Sequence, residues 1–399
     1  MRNESCIFAS VTRFRIIVML HTIHTLRLRS LTLVCTLLML LMGINTAIAR
    51  PIAEDRACVM ATKFYYKKVM GDEIAKVKSL EALDLVYTPL HGEVSNKITA
   101  PEYYIFAPAN GKGFVIIAGD DRASQLIVGY SLEGKFTLPL STSMKGYLNC
   151  YAGYIEALRK GSVASKPRRT SQPIAPLLTT TWGQGRPYNY YCPTLNNHKL
   201  ITGCVTTAIA QIMKYYEWPM HGVGECVAEV HNLDTTYTKV SLGNEYRWNK
   251  MKDTYSHTAK LNTGEVARLM RDVGHAVHVR YTPVLTSANS GNVAKALREH
   301  FYYSPEARQV HRSRYTDEEW NALIVSELAA RRPIYYSTRS TRFDGHAFVV
   351  CGIDEQGLYY VNWGWGGHCD GYFDFDAVAA HGTSYNYAQS AVVNIKPER

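Results

Sequence analysis

The sequence predicts an α+β protein, with a small α+β unit in front and a larger part in which helices come first and an antiparallel sheet second. Three observations carry this. At 399 residues the chain exceeds one ordinary domain of about 150 residues, so two or three units are expected. A small, polar, basic stretch with prolines and no apolar period, Lys160 to Pro173, divides it. Beyond that stretch the apolar residues keep a helical period early and fall into short strand-like runs late.

The amino terminus has the layout of an export signal. Arg13, Arg15, Arg27 and Arg29 precede an apolar run from Leu31 to Met42, and Ala47-Ile48-Ala49 offers a small-residue cleavage site before Arg50. The run is shorter than the ~20 residues a membrane span needs, and no other candidate span follows. Residues 1–49 are therefore expected to be removed on export, to the cell surface, the periplasm or the medium, without a membrane anchor. The stretch before Leu31 is long for such a signal, which leaves Met19 beside Met1 as a start. Cys35, preceded by Leu33 and Val34, sits in a poor context for lipid attachment.

In order along the chain, Ala57, Met60, Ala61, Phe64 and Tyr65 share a helix face ending near Gly71. Tyr103 to Ala107 and Phe114 to Ala118 read as strands around the Gly111-Lys112-Gly113 turn, followed by Leu126 to Tyr130. Leu148, Tyr151, Ile155 and Leu158 line a second helix, so residues 51–160 make an α+β unit. After the divider, apolar positions 205, 208, 209, 212, 213 and 216 give a helix, with further helices at Asn292 to Phe301 and Asp317 to Arg331. Strands are expected at Ile334 to Ser337, Ala347 to Ile353, Leu358 to Asn362, Gly371 to Phe375 and Ala391 to Ile395. Segregated halves of this kind place a cleft between them.

The formal charge of +10 is concentrated in the signal region and around Lys160 to Arg169, with no basic stripe interleaved with aromatics. Nucleic-acid binding is not indicated. Nine cysteines become seven once Cys6 and Cys35 leave with the signal, and an odd number in an exported protein leaves at least one thiol unpaired. Cys204 is the candidate. Cys351, within an apolar strand, reads as a buried hydrophobe, and spacing assigns no pairing to Cys192, Cys226 or Cys369.

Cys204 opens a helix, where unpaired N–H groups and the helix dipole favour an anion and lower a thiol's pKa. A thiolate nucleophile needs a base that later protonates the leaving amine, and histidine suits both tasks. His346, at the start of a strand, follows Cys204 by about 140 residues, inside the window of ~130–150 seen in papain-type sequences. The turn Asp354-Glu355-Gln356-Gly357 folds the chain back so that residue 346 faces 365. A slip of one or two residues brings Trp363 or the Asn362 amide to the imidazole instead. The Cys204 N–H and the Gln184 side chain, in a glycine-flanked loop, are the expected oxyanion donors. Trp365 is expected only to pack. His275-x-x-His278 and His368-Cys369-Asp370 lack the second ligand pair of a zinc site and read as surface or turn residues. Asp344 shares a strand face with His346 without a required contact and takes no part.

On these segments the chain resembles the streptopain family of papain-like cysteine peptidases. The resemblance covers nearly everything after residue 50. It rests on Gln184-Gly185 with Pro187-Tyr188-Asn189, on Gly203-Cys204-Val205 through Ala210-Gln211-Ile212-Met213-Lys214-Tyr215, on Gly345-His346-Ala347-Phe348-Val349 and on Val361-Asn362-Trp363-Gly364-Trp365-Gly366-Gly367. It implies a papain-like fold of two subdomains, one helical and one antiparallel β, with the cleft between them. Cys204 would be nucleophile, His346 general base and acid, and Gln184 part of the oxyanion hole. Trp363 would stand where papain has its orienting asparagine. The family's substrate-contacting serine and glycine carry over onto Ser287, with Ser290 a close competitor, and Gly345.

Residues 50–170 resemble the family's inhibitory propeptide, most clearly at Gly113 to Asp120, and 171–399 its peptidase domain. The resemblance thus implies a secreted zymogen, cut between Lys166 and Gln172, acting on proteins and peptides with an apolar residue two positions before the cut. The chemistry requires no metal or organic cofactor. A catalytically silent binding or adhesion homologue, and an acyltransferase or amidase on the same fold, are the alternatives from other classes.

Overall fold

The computed structural model describes residues 51–89, 100–164, 170–256, 264–339, 345–377 and 388–398. The export signal, Asp344 and residues 165–169 of the divider lie outside them. The front part opens with helix α1 (Glu54–Met70), ended by Gly71 at φ +58°. Strands β1 (Asp84–Tyr87), β2 (Tyr103–Ala107), β3 (Phe114–Ala118) and β4 (Ile127–Ser131) follow, then helix α2 (Thr142–Arg159), whose N-cap Ser141 accepts from the Met144 N–H at 3.2 Å.

Strands β2 and β3 are buried on both faces because a helix covers each side. Tyr104, Phe106, Val115 and Ile117 pack with Ala57, Ala61 and Tyr65 of α1, while Tyr103, Ile105, Phe114 and Ile116 pack with Tyr147, Tyr151 and Ile155 of α2. The alternation of a strand's side chains between faces makes this division possible.

The larger part holds a small hairpin, β5 (Thr194–Leu195) with β6 (His198–Lys199), then α3 (Cys204–Tyr216). A second sheet of four strands follows, in order β10-β9-β7-β8: β7 (Glu225–His231), β8 (Thr235–Ser241), β9 (Arg280–Tyr281) and β10 (Thr286–Ser287), with helix α4 (Gly264–Ala276) between β8 and β9. Neither the β7–β8 hairpin nor α4 was anticipated. Helix α5 (Val293–Phe301), β11 (Arg308–His311) and α6 (Asp317–Ala329) come next, α6 starting at a capping box of Thr316 and Glu319. Strands β12 (Ile334–Arg339), β13 (Gly345–Ile353), β14 (Tyr359–Asn362), β15 (Gly371–Phe373) and β16 (Ala388–Val393) complete the chain.

The front unit does not stand apart. Among the described residues a ten-stranded sheet runs β1-β2-β3-β4-β15-β14-β13-β12-β16-β11, joined where β4 pairs antiparallel with β15, Tyr130 opposite Tyr372 and Gly129 opposite Phe373. Tyr147 of α2 reaches across to place its ring 5.5 Å from Phe373 and 6.4 Å from Trp363. All seven cysteines after the signal are free thiols in this fold, and Cys351 is fully buried in β13.

Candidate active site

Helix α3 starts at Cys204 because Gly203 adopts φ +84°. A side chain at 203 would be strained, and its Cβ would meet Thr286 Cγ2 at 3.1 Å and the Thr286 carbonyl oxygen at 3.3 Å. A glycine N-cap also brings no capping oxygen, so the first-turn N–H groups face the space before the helix. Thr207 holds the turn by donating from N–H and hydroxyl to the Gly203 carbonyl at 3.1 and 3.0 Å.

Cys204 lines a cleft of about 560 Å³ together with Ser287, Ser290, Gly345, His346 and Ala347. Burial pushes the Cys204 thiol above its ordinary range, while the N–H groups of Ala347, Val205 and Cys204 itself pull the other way without cancelling it. The sequence expectation of a depressed thiol is therefore corrected for the uncut chain. The helix end favours the thiolate, but removal from water outweighs it.

His346 enters the cleft from the start of strand β13. Its Nε2 lies 2.9 Å from the Trp363 carbonyl oxygen. A carbonyl only accepts, so Nε2 carries the proton and Nδ1 is left unprotonated to take one from a thiol. Burial drives the imidazole down to about 4, against the support of that carbonyl. Burial thus disfavours the charged form of both the thiol and the imidazole.

Next to the turn β13 and β14 pair one residue out of the expected register, Gly352 opposite Tyr360 and Ile353 opposite Tyr359, and the bulge between Val350 and Gly352 restores it, with Val350 opposite Val361 and Val349 opposite Asn362. Residue 365 thus comes alongside the histidine. The Trp365 ring stands 5.0 Å from the imidazole and lies parallel to Trp363 at 5.1 Å, so it packs directly on both. Trp363, with its ring 5.9 Å from the imidazole, holds the histidine by stacking and by its carbonyl.

The Asn362 amide turns away from the imidazole into a buried network. Its Nδ2 donates to the Thr180 carbonyl at 2.7 Å and to Gln211 Oε1 at 3.1 Å, and its Oδ1 accepts from Gln211 Nε2 at 2.9 Å and from the Gly364 N–H at 3.1 Å. Gln211 Oε1 also accepts from Thr180 Oγ1 and the Trp182 N–H, at 2.9 and 3.0 Å. One carboxamide on the nucleophile's helix thereby ties together the loop before Gln184 and the loop after β14. Sequence reasoning missed this role, although a glutamine among the apolar positions of α3, two turns after Cys204, was a visible signal.

The remaining candidates fall around the same cleft. The Gln184 carbonyl accepts from the Thr202 N–H at 3.0 Å, which brings that loop to within two residues of the nucleophile. Ser287 lies on β10 and Gly345 opposite Arg339 on β12. Ser290 shares the cleft, and its hydroxyl pairs with the buried Tyr335 hydroxyl at 2.8 Å.

The expectation of a surface or turn position fails for His275 and holds for His368-Cys369-Asp370, which sits in and just after a turn, the Asp370 N–H reaching the Gly367 carbonyl at 3.4 Å. His275 is buried on α4, its Nδ1 2.8 Å from the Arg271 carbonyl oxygen and its Nε2 3.0 Å from the Thr238 hydroxyl. Asp370 is buried, with Oδ1 accepting from the Trp363 N–H at 2.8 Å.

A cysteine on a helix terminus and a strand histidine lining one cleft, beside a sheet that the front unit extends, define a papain-like cysteine peptidase with an inhibitory segment attached. The chain belongs to the peptidase C10 family, which it matches over residues 182–373, and residues 49–155 match the Spi protease inhibitor family. It is 33% identical to streptopain of Streptococcus pyogenes over 353 residues, covering 81% of this chain and 87% of that protein. It is 30% identical to the thiol protease/hemagglutinin PrtT of Porphyromonas gingivalis, covering 91% of this chain and 44% of that protein. Among solved structures, a Prevotella intermedia prointerpain A fragment superposes with a TM-score of 0.65 at 32% identity, over 75% of this chain and 98% of that one. Active interpain A from the same organism gives 0.50 at 34% identity, over 57% and 96%. The protein is a cysteine endopeptidase made as a self-inhibited zymogen, with its own propeptide as inhibitor and proteins as substrates.

Proposed function

We propose that Cys204 attacks the peptide carbonyl, that His346 takes the thiol proton through Nδ1 and returns it to the leaving amine, and that the acyl-enzyme is then released by water. The Cys204 N–H and the Gln184 side chain receive the oxyanion, Trp363 fixes the imidazole, and Ser287 and Gly345 meet the substrate backbone. The observation that carries this reading is the Nε2 contact with the Trp363 carbonyl, which fixes the tautomer a general base needs.

Residues 1–49 act as an export signal, 50–170 as propeptide and 171–399 as peptidase, with the activating cut between Lys166 and Gln172. No described helix is long and apolar enough to cross a membrane. The test follows the intact mass of the chain expressed from Arg50 in reductant, beside Cys204→Ala. Loss of the front segment from the unmutated chain alone, with a new terminus between Lys166 and Gln172, supports the reading. Equal survival of both, with no casein cleavage after an added protease cuts the divider, overturns it.

A further inference from the structure

We infer that Asp370 is a positioning residue for the catalytic histidine, acting through both ends of Trp363. The inference rests on the reading of His346 as general base. Trp363 is gripped twice by its backbone: its N–H donates to Asp370 Oδ1 at 2.8 Å, and its carbonyl accepts from His346 Nε2 at 2.9 Å. One residue's backbone therefore spans the distance between a carboxylate and the imidazole. The Trp363 indole, fully buried, is held from the side by Phe348, Trp365, Phe373 and Tyr147. These rings fix its plane, and Asp370 fixes its main chain.

The carboxylate is conspicuous because of what it lacks. Asp370 is 5% exposed, and among the described residues no lysine or arginine pairs with it. Tyr360 on β14, Cys351 on β13 and the adjoining Cys369 are the titratable groups that feel it, and Gly134 of the front segment lies close against the Asp370 backbone. An asparagine would accept the same N–H without the penalty of burying a carboxylate. What only the aspartate adds is a negative charge on the far side of Trp363 from the imidazole, where it favours the imidazolium that forms when the thiol gives up its proton. Burial raises the Asp370 carboxyl to about 7, so this charge is tunable near neutral pH.

The test is Asp370→Asn in the full chain, activated by cutting the divider with an added protease and normalised to active sites by thiol titration. The expected result is a kcat about ten-fold lower per active site with KM unchanged, the equivalent of one pKa unit. The alkaline limb of kcat/KM, which reports the imidazolium, is expected at lower pH. A kcat and a limb equal to those of the unmutated enzyme would overturn the inference and leave the parent reading intact; a His346→Ala enzyme that still cleaves would sink the parent reading itself. Should Asp370→Asn yield no titratable sites, the unmutated residue is followed instead by NMR of the Nε2–H of His346 in Cys204→Ala protein. Two titration steps, one of them belonging to Asp370, are expected there, and a single step overturns the coupling.

Discussion

The hydroxyl of Tyr130, in the propeptide, donates to the carboxylate of Asp354, in the peptidase, at 3.1 Å. The other Asp354 oxygen accepts from the N–H groups of Gln356 and Leu358, both at 2.9 Å, and so shapes the turn that sets the β13–β14 register. Lys68 of α1 stands 3.9 Å from the same carboxylate and 2.7 Å from Glu355. The propeptide therefore docks on the turn that aligns the histidine strand. Tyr130→Phe keeps the ring stacked on Tyr372 at 4.9 Å but removes the hydrogen bond, a loss of about 1–2 kcal/mol. In Cys204→Ala protein nicked in the divider, the two pieces are expected to separate about ten-fold faster on a sizing column, and an unchanged rate would show that the bond does not hold them.

Gln211→Leu is expected to cost about 2–4 kcal/mol, because it strands the buried Asn362 and Thr180 groups that share its carboxamide. Urea unfolding in the Cys204→Ala background measures the loss. A change under 1 kcal/mol, below the cost of one stranded buried group, would show that water or a rearranged Asn362 replaces the glutamine.

Gly203→Ala forces a Cβ at φ +84° against Thr286, at a cost of about 1–2 kcal/mol, and displaces the first turn of α3. The melting temperature is expected to fall and the iodoacetamide rate of the activated enzyme to drop at least ten-fold. An alkylation rate equal to that of the unmutated enzyme would mean the helix start tolerates the methyl group.

Cys204 of the uncut chain is expected to alkylate slowly at pH 7, with a rate rising through and beyond the ordinary thiol range, since burial holds the thiol up and the imidazole neutral. Intact mass separates uncut from cut protein in the same sample. Fast, pH-independent alkylation of the uncut species would mean that an ion pair already exists before the cut.

Acid stability should be a balance of two buried groups. His346 titrates lower when folded, so the unfolded chain binds more protons between about 4 and 6.5, and this contribution falls on acidification. Asp370 titrates higher when folded, so the folded chain binds more protons between about 3.8 and 7, and its contribution rises as pH falls. In Cys204→Ala protein, Asp370→Asn is expected to steepen the loss of stability from pH 6.5 to 4, and His346→Gln to reverse it. Parallel melting curves for the three proteins across that window would refute the assignment of either group.

The helix at Cys204 and the strand at His346 were legible because each leaves a local signature, while the register beside the histidine came out as expected only because the bulge after Val350 cancels a one-residue offset at the turn. Gly203, the period from Val205 to Met213 and the Asp354–Gly357 turn all act within a few residues. Helix α4 was legible too and was overlooked, with Val266, Leu269, Met270, Val273 and Val277 at helical spacing. Strand β8 was not, since nearly every residue from Thr235 to Ser241 is exposed and no face alternates. The Gln211–Asn362 network and the burial of Asp370 depend on residues over a hundred positions apart or on a loop's final path, which no period encodes. The lowered histidine and raised thiol belong to the same category, because desolvation is a property of the assembled site.

The β4–β15 seam gives maturation two stages of different kind. Cutting the divider severs one peptide bond and leaves the ladder at Tyr130 and Tyr372 intact, so the nicked protein is still one folded body. Parting the two pieces is then a separate step, opposed by the cross-strand contacts of that one strand pair. The peeled enzyme presents the backbone of Gly371–Phe373 as a fresh sheet margin, with Tyr360 and Tyr372 beside it. A margin of that kind offers unpaired N–H and C=O groups to another strand, which is the role β4 fills before the two pieces part.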